Sequence, residues 1–314
     1  MSITKTAIVS EFGAYYLNSG QNMARLKNLL MFTRKSSQHF TQLKTDETIY
    51  QMAMATVTSL VQSFQKAFTA KGDFTFTPNK IQLFKLKADI EIYPDDIEDN
   101  WLGFLASNAL GRKEWPLIRY LLESFILTKI QEDMELKEIY KGAYVAPTPT
   151  VAGVTGQSMN GLKIGLQAAT VNHDTTVGAL DPATIYDQFE KAYELVSEVY
   201  QGIAMNIHCA PKWERAFLKD KRSLGFYQIA GPGQIDNSLD FAPANVIGLP
   251  SMIGTDDWFI TPKANILHLN KKGDNQGKVL IEESKRCVSI MTDWYEGLGF
   301  GINEIVWTNV AAIS

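Results

Sequence analysis

The chain has 314 residues, of which 45% are hydrophobic, and a net charge of −4; that is enough length and apolar content for a sizeable core organised as about two domains. The slight acidity excludes a broad basic surface of the kind that grips phosphate backbones through counterion release. Two widely separated cysteines, Cys209 and Cys287, exclude a disulfide framework and match no zinc spacing.

Residues 1–11 lack the apolar run of a secretory signal, so export by that route is not expected. Residues 1–45 mix Phe12, Tyr15, Tyr16, Leu17, Leu29, Leu30, Met31 and Phe32 with Arg25, Lys27, Arg34 and Lys35, without a sustained period. That is too apolar for a solvated tail, and it predicts an arm that lies on something else. From Asp46 the spacing of Ile49, Met52, Ala53, Thr56, Val57, Leu60, Phe64 and Phe68 predicts a helix over 46–72, stopped at Gly72. Over 73–94 the period becomes two, with Phe84, Leu86, Ala88, Ile90 and Ile92 on one face and Lys85, Lys87, Asp89 and Glu91 on the other. With Phe74–Thr77 as the opposing strand and Pro78-Asn79 as the turn, this predicts a long hairpin that needs a surface to pack on.

The longest helical pattern runs from Glu114 to Tyr140, with Pro116 in its first turn and Leu117, Tyr120, Leu121, Ser124, Phe125, Thr128, Ile130 and Met134 along one side. At 1.5 Å per residue it is a rod of about 40 Å. Residues 142–162 form the longest uncharged run; Pro147, Pro149 and four glycines make it a loop and not a membrane span. Asp181-Pro182 is expected to open a further helix, with Ile185, Phe189, Tyr193, Val196 and Tyr200 on one face and Gly202 closing it. A buried strand at 203–209, a short helix at 211–220 and a strand at 245–247 follow. The chain ends in strands over 258–269, 279–293 and 297–308, the first two joined through Lys271-Lys272-Gly273-Asp274-Asn275. The whole is mixed α+β.

In the last strand Gly297, Gly299 and Gly301 share one bare face and Leu298, Phe300 and Ile302 fill the other, because successive strand residues point opposite ways. A bare strand face invites another backbone, and the long helix is the expected occupant.

No residue set is expected to carry chemistry. His39, His173, His208 and His268 are scattered, and His208-Cys209 points apart in a strand, so no metal site is expected. His173-Asp174 could be a base and its orienter in an intracellular enzyme, but no nucleophile accompanies it. Asp95, Asp96, Glu98 and Asp99 read as an acidic helix start after Pro94 and not as a cation loop. Gly231-Pro232-Gly233 and the terminal glycines match no phosphate or dinucleotide fingerprint, so no cofactor is expected. Lys263, Lys271, Lys272, Lys278 and Arg286 form a mildly basic neighbourhood, read as a charged turn on a solvated hairpin.

An apolar arm, a projecting hairpin and a rod helix together carry more adhesive surface than one body hides, which usually means subunit contacts. This order of parts resembles the major capsid proteins of tailed bacteriophages, with the Hong Kong ninety-seven type fold. The resemblance is carried by Asp99-Asn100-Trp101-Leu102-Gly103-Phe104 through Glu114-Trp115-Pro116-Leu117-Ile118-Arg119-Tyr120 to Ile139-Tyr140-Lys141-Gly142. It is carried also by Trp258-Phe259-Ile260-Thr261-Pro262-Lys263-Ala264-Asn265-Ile266 leading to Gly297-Leu298-Gly299-Phe300-Gly301.

The resemblance implies an N-terminal arm over 1–45 and an extended hairpin loop over 73–94, and the helix that spacing predicts over 46–72 links the two. It further implies a peripheral domain built from 95–161, with its spine helix, and 261–314, and an axial domain over 162–260. It also implies hexamers and pentamers closing into an icosahedral shell around double-stranded DNA, with scaffolding, portal and decoration proteins as possible partners. DNA contact would be non-specific and no membrane is involved; assembly would occur in the host cytoplasm and the chain would reside in the virion capsid. The nearest rival is an encapsulin-like nanocompartment shell, and the departures from the pattern are the helix at 46–72 and the lack of a long charged N-terminal scaffolding segment.

Overall fold

The computed structural model describes residues 8–10, 34–94, 98–108, 115–225, 236–240, 242–273, 279–285 and 287–313. Most of the expected arm, Asp95, Asp96, Gly231-Pro232-Gly233, Lys278 and Arg286 lie outside the described residues.

In chain order the elements are β1 (Thr41–Thr45), β2 (Ile49–Val57), β3 (Phe74–Gln82), β4 (Phe84–Ile92) and α1 (Glu98–Ser107). A long helix over 117–138, α2, follows, then α3 (Leu162–Leu166), β5 (Asn172–His173), α4 (Ile185–Glu194), β6 (Met205–Cys209), α5 (Pro211–Ser223) and β7 (Ala244–Gly248). The last strands are β8 (Phe259–Thr261), β9 (Ile266–Lys271), β10 (Val279–Ser284), β11 (Cys287–Phe300) and β12 (Trp307–Thr308).

Among the described residues these strands form two sheets and a separate ribbon. One sheet has the order β1-β9-β11-β10, with β4 on the other side of β11; the second runs β5-β12-β8-β6-β7. The ribbon is β2 against β3, in antiparallel register from Ile49 opposite Gln82 to Val57 opposite Phe74.

The ribbon overturns the helix expected over 46–72. Residues 49–57 are a strand because 74–82 offers nine consecutive backbone partners, and a paired ladder outweighs a local helical spacing. The side chains then work at period two: Tyr50 and Met52 pack with Ile81, Leu83, Leu267 and Leu269 in a small apolar cluster. The expected hairpin is corrected too. Pro78 and Asn79 lie inside β3, and β4 pairs not with β3 but with β11, from Ile92 opposite Val288 to Phe84 opposite Glu296. The two-faced pattern of β4 stands in part, with Phe84, Leu86 and Ile92 buried and Lys85, Lys87, Asp89 and Glu91 exposed, but Ile90 on the expected covered face is also exposed.

The rod helix is present but begins at Leu117, with Pro116 as its N-cap. Two of its turns, Tyr120–Ile126 and Met134–Glu138, are wound as π-helix, seen in the i→i−5 bond from Ile139 N–H to Met134 O at 2.9 Å. Each wide turn rotates the apolar stripe, which keeps Leu117, Ile118, Leu121, Leu122, Leu127 and Met134 buried while Phe125 faces out. The helix after Asp181 begins at Ile185 with Thr184 as its N-cap and ends at Glu194. Asp181 instead accepts the Ala183 N–H at 2.9 Å within the preceding turn. The run at 142–162 is a loop, and no helix among the described residues is long and apolar enough to cross a membrane. Its two ends meet where the Gly161 N–H donates to Gly142 O at 2.9 Å. A Cβ on either glycine would lie within 2.6 Å of the Glu138 carbonyl oxygen.

Candidate assembly interface

The glycines of the last strand do have an occupant, and it is the root of the ribbon, not the long helix. A Cβ on Gly297 would meet the carbonyl oxygen of Gln82 at 2.5 Å, one on Gly299 the Ile81 side chain at 2.8 Å, and one on Gly301 the Met52 sulfur at 3.1 Å. Asn79 Nδ2 donates to Phe300 O at 2.5 Å and lies 3.0 Å from Asn303 Oδ1, fixing the strand from the side. On the opposite face Leu298 and Phe300 enter the main core, where Phe300 meets Phe259 edge-on with ring centroids 5.8 Å apart.

Beyond that seat the ribbon continues for five residue pairs, from Ala53 opposite Pro78 to Val57 opposite Phe74, about 17 Å at strand rise. Its far end exposes Leu60, Val61, Phe64 and Phe68 by 59%, 85%, 93% and 97%, and Phe74 and Phe76 beside them are also exposed. Four large apolar side chains on one projecting tip are more than scattered surface hydrophobics.

The arm's root is anchored internally. Arg34, Ser36, Ser37 and Phe40 are buried, and β1 pairs in parallel with β9 from Thr41 opposite Leu267. The Arg34 guanidinium donates to Glu296 Oε1, a carboxylate that also receives His268 Nε2 at 2.7 Å and the Trp294 indole N–H at 3.1 Å. Burial alone would raise the Glu296 pKa, but Arg34 and His268 outweigh it and hold the carboxyl well below its usual range. Ser36 gives both its N–H, at 3.1 Å, and its hydroxyl, at 2.5 Å, to Glu135 Oε1 on α2, and its Oγ lies 3.0 Å from that of Ser251. The segment expected as an arm over 1–45 is therefore, over its described residues 34–45, part of the body, and Ile8 is buried in the same core.

The sequence did not single out these anchors. One signal was available: Glu296 shares its strand parity with Trp294 and Leu298, so a charge sits on the core face and needs a partner.

The other candidates resolve separately. His173 lies between two carbonyl oxygens, Val310 O at 2.6 Å and Ala168 O at 3.0 Å. Asp174 caps the turn after it, accepting from Thr176 N–H at 2.7 Å and Val177 N–H at 3.1 Å, so the two do not form a base and its orienter. His208 is fully buried against Phe259, and burial pushes its pKa down to about 3. His39 is half-buried and His268 serves the Glu296 cluster. Cys209 and Cys287 are free and buried. Among the described residues no group of acidic, histidine and cysteine side chains could hold a metal.

The basic neighbourhood is not a solvated hairpin turn, because β9 and β10 both flank β11 and do not pair with each other. Lys271 is buried and donates to Asp46 O at 2.5 Å, and Lys272 pairs with the Asp46 carboxylate at 2.9 Å, so both tie down the turn that leads into the ribbon.

No protein-family model and no curated protein matches the chain. Its fold, however, recurs in solved capsids. A chain of the satellite phage P4 procapsid, whose structure includes the size determination (Sid) protein, aligns with a TM-score of 0.55 at 12% identity, covering 91% of this chain and 89% of the other. Gordonia phage Cozz gives 0.52 at 12%, covering 90% and 88%, and the capsid of the Myoviridae phage XM1 gives 0.51 at 12%, covering 86% and 89%. The architecture is thus the Hong Kong ninety-seven type major capsid fold.

Proposed function

We propose that the chain is the major capsid protein of a tailed phage, a structural protein that assembles into an icosahedral shell around double-stranded DNA. The observation that carries this reading is the ribbon, seated on a glycine-bare strand and ending in four apolar side chains that none of the described residues covers. In this reading 95–161 and 261–314 form the peripheral domain, 162–260 the axial domain, and the segment before Arg34, apart from the core-buried Ile8, the arm that reaches neighbours. Hexamers and pentamers gain strength because each copy engages several others through modest contacts. The role requires no catalysis and no cofactor. Scaffolding, portal and decoration proteins are the expected partners, and the chain is placed in the virion after assembly in the host cytoplasm. A net charge of −4 suits a wall that touches packaged DNA only weakly, leaving the genome free to slide.

Expression of the full chain followed by negative-stain microscopy and size-exclusion chromatography tests the reading. Closed particles are expected; a monomer or dimer at every concentration and salt refutes it. Particles from infected cells that enclose enzyme cargo in place of a genome would assign the shell to a nanocompartment.

A further inference from the structure

We infer that the ribbon tip, residues 58–72, is a helix that forms only when it docks on a second copy of this chain. The inference rests on the shell reading and adds to it a loop-to-helix step at the contact.

The tip's sequence is written for a helix. Val57, Leu60, Val61, Phe64 and Phe68 follow a helical spacing, and Ser59 with Gln62 three residues later matches the capping-box pattern. Lys66 and Lys71 lie toward the end, where cations favour the helix dipole, and Gly72, at φ +94°, supplies a left-handed stop.

In the single chain that helix is absent. Residues 58–73 form a loop closed by Thr58 N–H to Asp73 O at 3.1 Å, Asp73 N–H to Thr58 Oγ1 at 2.6 Å, Gln62 Nε2 to Thr69 O at 2.8 Å and Lys71 Nζ to Val61 O. The reason is physical: a helix of about 12 residues is marginal in water unless its apolar face is covered.

The covering surface is a second copy, by area and by charge. Two phenylalanines, a leucine and a valine bury about 700 Å² on docking, close to the ~800 Å² per partner of a stable interface. The sheet offers a matching face. Leu280, 53% exposed, stands in a cross-strand row with Met291 and Asp89, and the next row is Glu282, Ser289 and Glu91. Lys87 neutralises Asp89 at 2.6 Å, which leaves Glu282 and Glu91 beside an apolar spot, opposite in sign to Lys66 and Lys71. The same face of β11 holds the chain's own ribbon root further along, at Gly297 and Gly299, so the docking surface continues a seat already used for this ribbon.

The test is hydrogen exchange of the 57–70 segment in wild-type particles and in isolated subunits, together with particle yields from Gln65→Pro and Gln65→Ala. Pro breaks a helix there while keeping every apolar side chain. Expected are at least a hundredfold slower exchange in particles, a tenfold or greater loss of closed particles for Gln65→Pro and none for Gln65→Ala. Lys66→Glu and Glu282→Lys singly lower the yield and together restore it. Wild-type particles whose tip exchanges as fast as in the subunit, or normal particles from Gln65→Pro, overturn this inference alone. A wild-type chain that never assembles overturns it together with the shell reading.

Discussion

Ile81 of the ribbon root occupies the space that a side chain on Gly299 would need, its Cγ1 lying 2.8 Å from where that Cβ would stand. The contact makes the direction of the ribbon a property of the last strand. At Gly297 the obstacle is backbone, the Gln82 carbonyl oxygen at 2.5 Å, which cannot rotate aside. Gly297→Ala is expected to destabilise the subunit by about 1–3 kcal/mol, the usual cost of overpacking, and to misdirect the ribbon. Thermal unfolding reads the loss, and Gly273→Ala, with open space around its Cβ, should leave the melting temperature unchanged.

The Arg34–Glu296 pair joins the arm root to the same strand. Glu296→Gln leaves Arg34 buried against a neutral group, and breaking a buried pair in this way costs about 3–5 kcal/mol. Urea denaturation should find the midpoint lowered with an unchanged slope, since the extent of surface exposed on unfolding is the same. An undiminished midpoint would mean that the pair does not hold the root.

Acid should weaken the subunit in two stages. His208 is buried neutral, its folded value near 3 against an ordinary 6.5, so the unfolded chain takes up the proton first and stability falls as pH drops from 6.5 toward 3. Glu296 also has a depressed folded value, so its contribution is full above its ordinary 4.5 and is lost only below that. A His208→Leu variant is expected to lose less stability between pH 6.5 and about 3 and to track wild type only below that. Equal slopes for both chains across the upper window would remove His208 from this account.

Deletion of residues 1–30 should leave a folded subunit that fails to close shells, because Arg34, Ser36, Phe40 and β1 remain in place, although loss of the buried Ile8 side chain should lower its melting temperature. Deletion of 1–45 removes those anchors as well and should unfold the chain. Electron microscopy and circular dichroism separate the two, and normal particles from the shorter deletion would refute the arm assignment.

Much of this architecture was legible where local pattern and burial agree. The alternation of β4, the rod over most of 114–140, the buried strand at Met205–Cys209 and the bare glycine face can all be read from residue types alone. Pairing was not legible. Ile49–Val57 carries a helical spacing and becomes a strand because Phe74–Gln82 lies opposite it, and β4 chooses β11 over β3 because β11 presents apolar partners in register. The capsid-type fold could be recognised from the order of parts, whereas the anchors Arg34, Ser36, Glu135, Ser251 and Glu296 come from segments up to 262 residues apart and meet only in the folded chain.

The sequence by itself determined the composition of each face: which strand is bare, which helix is long, which tip is apolar. Such properties follow from side-chain chemistry within a few residues. Only the tertiary structure decided what covers what, placing the ribbon root and not the rod on the glycines and turning the start of the arm inward. Those choices depend on backbone ladders and buried charge pairs between distant segments, whose free energy no local pattern encodes.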